Sequence, residues 1–187
     1  MLEADFSTGL HGFASFENNV FKVGLVDGEY QYAGKMAGCA SYAALLPQIE
    51  ENLVDDFVFE AEARWEPQNT GDSGWGLTFG FVPDQQEIRL ELNWDHTIGI
   101  AHWSANRWYA ALPMSVAPSM RPAAEFNKVR LEVVRGHARV FMNDQFVGQA
   151  KLPKYTPGMC RIMLLPKSGQ PNVRFRRICF WRIRDPN

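Results

Sequence analysis

The sequence has no excess of charge of either sign: nineteen Lys and Arg stand against twenty-one Asp and Glu in 187 residues, a formal charge of −2. That balance excludes a global basic field for nucleic acid, and it excludes the acidic, aromatic-poor signature of a disordered chain. No apolar run approaches the ~18–20 residues that a membrane span requires. Membrane insertion is therefore not expected. The opening, Met1-Leu2-Glu3-Ala4-Asp5, lacks the basic and apolar regions of a signal peptide. A cytoplasmic location is favoured if the chain is complete, and a domain taken from a longer protein fits the same opening. Cysteine is scarce: Cys39, Cys160 and Cys179 are widely spaced, with no CxxC or Cys/His cluster, which excludes the common structural zinc patterns. Cys160 and Cys179 lie in apolar, strand-like runs and read as reduced, buried side chains, which leans toward a reducing compartment. Repeats, low-complexity tracts and linkers are missing too, so residues 1–187 are expected to form a single domain.

What the chain does have is apolar and aromatic bulk, 46% hydrophobic and 13% aromatic with six Trp and thirteen Phe. The dominant period of that bulk is two. Phe57, Phe59, Ala61, Ala63 and Trp65 alternate with Glu60, Glu62 and Arg64; Ile88, Leu90, Leu92 and Trp94 with Arg89, Glu91, Asn93 and Asp95; Val129, Leu131 and Val133 with Lys128, Arg130 and Glu132. Each reads as a strand with one face on a core and one toward water. Further strand-like runs cover Gly28–Ala33, Cys39–Leu45, Gly74–Val82, Thr97–Ser104, Arg107–Leu112, His137–Asn143, Gln145–Lys151, Gly158–Leu165 and Asn172–Ile183. Pro83-Asp84 and Arg135-Gly136 suit reversals, and Asn143-Asp144 stands where a tight hairpin turn belongs. Only Ala43–Asp56 has room for a short helix, and Pro47 breaks its start. About a dozen strands with short spacings and almost no helix give an all-β class: a two-sheet antiparallel β-sandwich or jelly roll.

Several segments, in order, resemble the concanavalin A-like lectin/glucanase domains. Asp5-Phe6-Ser7 followed by Val26-Asp27-Gly28-Glu29-Tyr30 is similar to their DFS…DGxY opening, and Asp56-Phe57-Val58-Phe59-Glu60-Ala61-Glu62 to a DFxxExE strand. Ser73-Gly74-Trp75-Gly76-Leu77-Thr78-Phe79 resembles SGxGLxF. Phe126-Asn127-Lys128-Val129-Arg130-Leu131, continuing to Val140-Phe141-Met142-Asn143-Asp144-Gln145-Phe146-Val147, resembles a paired strand ending in a YVNG-type turn. Val173-Arg174-Phe175-Arg176-Arg177-Ile178-Cys179-Phe180 resembles the closing VxFDNFxV. The pattern runs over nearly the whole chain and is closest to the laminin-G-like and 3-keto-disaccharide-hydrolase-like branch. The resemblance implies two curved sheets, with the concave face commonly used for sugar, in lectins, binding modules, glycosidases and sensor domains alike. It leaves function open. The family's Asp-Asn in the last strand is Arg176-Arg177 here, which breaks the alternation between Phe175 and Ile178 and points to a β-bulge.

The glucanase relatives carry Glu-x-Asp-x-Glu on one strand face, two of the acids flanking the scissile bond. The nearest match is Glu91-Leu92-Asn93-Trp94-Asp95. The spacing is kept, but the middle acid is Asn and the last is a methylene shorter. Strand positions i and i+4 lie roughly 13 Å apart at Cα, and Glu with Asp closes that gap less readily than two Glu. Glu91 is the catalytic residue if the chain is an enzyme; the plainer reading is the solvated face of an amphipathic strand. Glu60, Glu62 and Arg64 read as a surface strand with cross-strand ion pairs. The four histidines show no metal-binding spacing and no nucleophile elbow is present, so no catalytic metal or other cofactor is assigned. A structural calcium stays open through the resemblance, with Asn69, Asp72 and Asp84 as loop oxygens but no calcium-loop pattern.

For binding, the relevant feature is the cluster Trp94, His96, His102, Trp103, Arg107, Trp108 and Tyr109. Sugar sites combine an aromatic plate with planar polar groups. Trp65 and Trp94 fall in phase with core positions, whereas Trp103 is out of phase with Ile98, Ile100 and His102, and Trp108 follows a turn. Along Gly74–Val82, Gly76, Thr78 and Gly80 share a face that leaves room for a ligand. The expected carbohydrate site is therefore Thr78, Arg89, Glu91, Asn93, Trp103 and Trp108, on a floor of Gly76, Thr78 and Gly80. The competing reading is a solvated outer face. The tail, with Arg174, Arg176, Arg177, Arg182 and Arg184, reads first as a charged edge strand and second as an anion-reading patch. A carbohydrate-binding, lectin-like module leads. A protein-interaction or sensor domain on the same scaffold, with a protein partner, is the alternative, and a glycan-active enzyme the third reading.

Overall fold

Period-two alternation becomes fifteen strands in the computed structural model, which describes residues 2–36, 41–45, 55–66, 73–152, 155–168 and 170–183. In chain order they are β1 (Leu2–Asp5), β2 (Phe16–Glu17), β3 (Phe21–Val26), β4 (Glu29–Gly34), β5 (Ser41–Leu45), β6 (Phe57–Trp65), β7 (Gly74–Val82) and β8 (Gln86–Asn93). They continue as β9 (Thr97–Ser104), β10 (Arg107–Val116), β11 (Asn127–Val134), β12 (His137–Met142), β13 (Gln145–Lys151), β14 (Met159–Leu165) and β15 (Asn172–Arg182). A nine-stranded sheet runs β13-β12-β11-β6-β15-β4-β3-β2, with β1 also on β15, and a six-stranded sheet runs β10-β9-β8-β7-β14-β5. All pairings are antiparallel.

The two sheets meet through the apolar phase of each strand. Phe57, Phe59 and Trp65 of β6 and Val173, Phe175 and Phe180 of β15 face Trp75, Leu77 and Phe79 of β7 and Ile88, Leu90 and Leu92 of β8, all buried. Trp75 sets its edge on Phe175 at 5.0 Å, and Phe57 sets its edge on Phe79 at 5.7 Å across the gap. Each such side chain, fully removed from water, contributes about 1.5–3 kcal/mol, and the aromatic edge contacts add to that. Trp65 and Trp94 belong to this interior, edge to face at 5.8 Å. Cys160 and Cys179 are free and buried, and burial pushes their thiols up to about 12 and about 11. They pack as small apolar groups.

The hairpin turns follow their residues. Both positions of Arg135-Gly136 and of Asn143-Asp144 have positive φ, the geometry that matches the twist of flanking strands in two-residue loops. Asn143 is fixed by side-chain bonds to the Ser119 carbonyl (2.7 Å) and the Asn127 carboxamide (2.9 Å). The register of β15 against β6 shifts between Phe175 and Arg177, the bulge expected there.

Three expectations are corrected. First, β15 is a central strand, flanked by β6 on one side and by β4 and β1 on the other. Its arginines resemble edge protection only because the outward phase of a central strand is also charged. Arg174 pairs with Glu66 at 3.0 Å, Arg176 with Glu62 and Arg177 with Glu3 at 2.6 Å, which also leaves no open anion-reading patch on these three; Arg184 lies outside the described residues. Second, residues 43–45 continue a strand rather than starting a helix, and 46–54 lie outside the described residues. A single 3₁₀ turn, Phe6–Thr8, forms near the start, capped by the Asp5 carboxylate accepting from the Ser7 N–H at 3.0 Å. Third, β1, β2 and β3 add to the expected strands, and β10 runs past Leu112 to Val116 through two register shifts. Cys39 also lies outside the described residues.

Candidate functional site

The register of the six-stranded sheet determines which side chains share its outer face, since directly paired residues point the same way. One cross-strand row is Arg161–Thr78–Arg89–Ala101–Ala110. The next is Met163–Gly76–Glu91–Gly99, and beyond it Leu165–Gly74–Asn93. Toward the β7–β8 turn the row is Glu87–Trp103–Trp108. All six residues singled out from the sequence therefore lie on one face, spread over four neighbouring strands.

They differ in what they offer to a ligand. Trp108 is 45% exposed and Trp103 is half-buried beside it. The Arg89 guanidinium lies over the Trp108 ring at 4.3 Å and its Nε donates to Glu87 Oε1 at 2.8 Å. Together Trp103, Trp108, Glu87, Gln86, Phe81 and Asp84 line a cavity of about 260 Å³. Thr78, by contrast, is 0% exposed and donates its hydroxyl to the Met163 thioether at 3.4 Å. Asn93 is 4% exposed; its amide donates to the Thr97 hydroxyl at 3.0 Å and its carbonyl accepts from Lys167 Nζ at 3.3 Å. Both support the face from beneath.

The glycine floor is closed. A Cβ built on Gly76 would fall against the Leu90 carbonyl and 3.2 Å from the Met163 methyl. Met163 comes from β14, remote in sequence, and fills the space that a side chain at Gly76 would take. Gly80 leaves the row altogether. It has φ +57, sits at the register shift of β7 against β8, and is packed against Gln86, Tyr155 and Thr156. The expected floor of three small residues is thus a packed layer. The accessible part of the face lies at its Trp103–Trp108 end.

Glu91 is half-buried on this face, and burial pushes its carboxyl above the usual range despite the opposing charges of Arg89 and Lys167. Among the described residues no hydrogen bond or ion pair holds it. Asp95 sits beyond the end of β8, in the turn before β9. Its carboxylate accepts from the Thr97 hydroxyl at 2.6 Å and the Thr97 N–H at 3.1 Å, and the hydroxyl bond holds it below the usual range. The strand phase that would align Asp95 with Glu91 ends at Asn93, so the two acids have different settings.

Sequence reasoning missed Glu87, Phe81 and Arg161, and took Asp84 only as a loop oxygen open to calcium. Glu87 carried a usable signal, since it stands two residues before Arg89 in the same phase. Phe81 is turned outward by the register shift and Arg161 joins the face through β14, and neither is visible from local alternation. His102, expected among the aromatics, is buried in the interior phase, its ring 6.4 Å from that of Tyr109, and burial lowers its pKa. Among the described residues no group of three or more His, Cys, Asp or Glu is placed to hold a metal ion. Asn69 and Asp72 lie outside the described residues. A larger cavity, about 500 Å³, lies elsewhere beside Asp55, Asp56, Arg135 and Tyr155. There the Asp56 carboxylate is engaged by the Arg135 N–H at 2.7 Å and the Tyr155 hydroxyl by the Asp55 carbonyl at 3.1 Å. It presents no tryptophan.

The fold is shared with solved carbohydrate-related proteins at low sequence identity. The carbohydrate-binding module CBM66 from Bacillus subtilis is 13% identical, with a TM-score of 0.61 over 80% of this chain and 85% of that one. A β-glucanase from Bacillus licheniformis is 11% identical, with a TM-score of 0.67 over 98% of both chains. Sheep galectin-11 is 11% identical, with a TM-score of 0.51 over 78% of this chain and 98% of that one. No protein-family model matches the sequence, and no curated protein matches it either.

Proposed function

We propose that this chain, a concanavalin A-like jelly-roll sandwich by its fold, is a non-catalytic carbohydrate-binding module that uses the outer face of its six-stranded sheet. The observation that carries this reading is the Trp103–Trp108 pair lining a cavity together with Glu87, beside Arg89. An indole presents a flat apolar plate to the C–H face of a pyranose, while carboxylate and guanidinium groups bond hydroxyls in fixed directions. Trp103 and Trp108 are the stacking plates, Arg89, Glu87 and Glu91 the polar partners, and Thr78 and Asn93 hold the strands that carry them. The names of the structural neighbours, which include a binding module, galectins and glucanases, support a carbohydrate ligand. The test is a glycan array probed with wild type and Trp103→Ala. Binding by wild type that is lost in the variant supports the reading; a well-folded wild type that binds no glycan overturns it.

One observation favours a second reading, a glycoside hydrolase. Glu91 occupies the strand position where the glucanase pattern places an acid, and its carboxyl is held protonated more readily than usual by burial, the property of a general acid. Against it stands Asp95, anchored in its turn. Hydrolysis of an oligosaccharide by wild type and not by Glu91→Gln would establish this reading in place of the first.

A further inference from the structure

Arginines on the sandwich surface are mostly matched by carboxylates; among the described residues Arg161 is not. On the nine-stranded sheet Arg64, Arg174, Arg176 and Arg177 each pair with a Glu. On the six-stranded sheet Arg89 pairs with Glu87. Arg161 lies in the same cross-strand row as Arg89, with Thr78 between them. Among the described residues no carboxylate pairs with it. Its Nη2 reaches the Met159 thioether at 3.5 Å, a weak acceptor, and its Nε is buried with no hydrogen-bond partner. The guanidinium is held over the Phe81 ring at 4.6 Å, and Phe81 lines the cavity that Trp103 and Trp108 share.

Holding a half-buried guanidinium without an anion costs free energy, because its donors have left water and gained nothing equivalent. Such a group is pre-organised for an anionic oxygen: the fork is planar, its orientation is fixed by the ring beneath, and two donors converge on one carboxylate or sulfate. The acids of this face are placed so that they do not fill that role. Glu87 is engaged by Arg89, Asp84 lies on the β7–β8 turn, and Glu91 stands one row further along.

We propose that Arg161 is an anion-binding residue of the glycan site, so that the ligand is an acidic glycan whose carboxylate or sulfate ester pairs with Arg161 while a neighbouring ring stacks at Trp103 and Trp108. This rests on the carbohydrate reading above and narrows it to one ligand class. The anion pairs with the Arg161 guanidinium, which has no carboxylate partner among the described residues, and lies over the buried Thr78, between the two arginines of the row.

The test is an array of uncharged, uronate-bearing and sulfated oligosaccharides, probed with wild type, Arg161→Gln, Arg161→Lys and Trp108→Ala, each checked for folding by its thermal transition. The expected result is a preference of about tenfold or more for one acidic arm over its uncharged counterpart. That preference falls toward one in Arg161→Gln, and it is intermediate in Arg161→Lys, which keeps the charge and loses the fork. The uronate and sulfate arms identify which anion is taken. Equal binding of acidic and uncharged arms, or a preference that survives in Arg161→Gln, overturns the inference. Uncharged binding that depends on Trp108, with no acidic preference, sinks this inference alone; no binding to any arm sinks the carbohydrate reading and this inference with it.

Discussion

Trp103 and Trp108 are direct cross-strand partners in the β9–β10 hairpin, and the guanidinium of Arg89 lies on the second of them at 4.3 Å. The pair sits at the accessible end of a face whose remainder is packed with side chains. Trp108→Ala removes an exposed plate without opening the core. Glycan affinity is expected to fall about tenfold or more, while unfolding free energy changes by less than about 1 kcal/mol, the order of one surface cation–π contact. Titration calorimetry beside a denaturant curve checks both; a large stability loss would mean that Trp108 is structural.

Glu91 links the same face to pH. Its folded-state pKa is raised by burial, so the folded protein takes up a proton more readily than the unfolded chain. The stability contribution of this group is complete below the unfolded-state value, about 4.3, and is lost as pH rises through the raised folded value. Glu91→Gln is therefore expected to melt above wild type at neutral pH, with the gap closing toward about pH 4. Thermal midpoints across that range test it, and a gap independent of pH would show that ionisation is not the cause.

Asn127 is a second, stability-bearing site. It is buried, its carbonyl accepts from the Arg121 N–H at 2.7 Å and from Asn143 Nδ2 at 2.9 Å, and its amide donates to the Arg121 and Glu125 carbonyls, each at 3.2 Å. Asn127→Ala leaves several of these groups unmatched and is expected to cost about 2–4 kcal/mol. Denaturant unfolding measures it, and a loss under about 1 kcal/mol would show that water replaces the side chain.

At Gly76 the constraint is steric. A methyl there meets the Leu90 backbone carbonyl and the Met163 side chain, and only the second can move. Gly76→Ala is expected to destabilise by about 2 kcal/mol or more and to speed amide exchange along the β7–β8 ladder. Unchanged exchange in that ladder would contradict the packing described for the floor.

Period-two alternation is enough to place Thr78, Arg89, Glu91 and Asn93 on a common face, because the apolar phase of each strand packs on the same core and leaves the alternate residues of both strands on the opposite face. The turns at Arg135-Gly136 and Asn143-Asp144 and the bulge at Arg176-Arg177 were legible for a similar reason: each is a local backbone requirement written in its own residues. What local pattern did not carry was long-range pairing. Thr78 is closed by Met163 from β14, and β15 is made central by pairing with β6, β4 and β1, contacts between segments far apart in sequence. The outward phase of a central strand and that of an edge strand are equally polar, so charge alone does not distinguish them. The short strands before Gly28 lacked sufficient alternation to stand out.

The position of β15 also sets an order of assembly. The nine-stranded sheet consists of two flanks, β2-β3-β4 built from near neighbours in sequence on one side and β11-β12-β13 joined to the sequence-distant β6 on the other, and β15 is the strand between them. As the chain leaves the ribosome both flanks exist before the piece that unites them. Each then exposes a bare strand edge, β4 on one side and β6 on the other, until residues 172–182 are released. Closure of that gap is a late, long-range step with a large loop to draw in. A nascent chain is therefore most prone to pairing with a neighbour just before β15 is made.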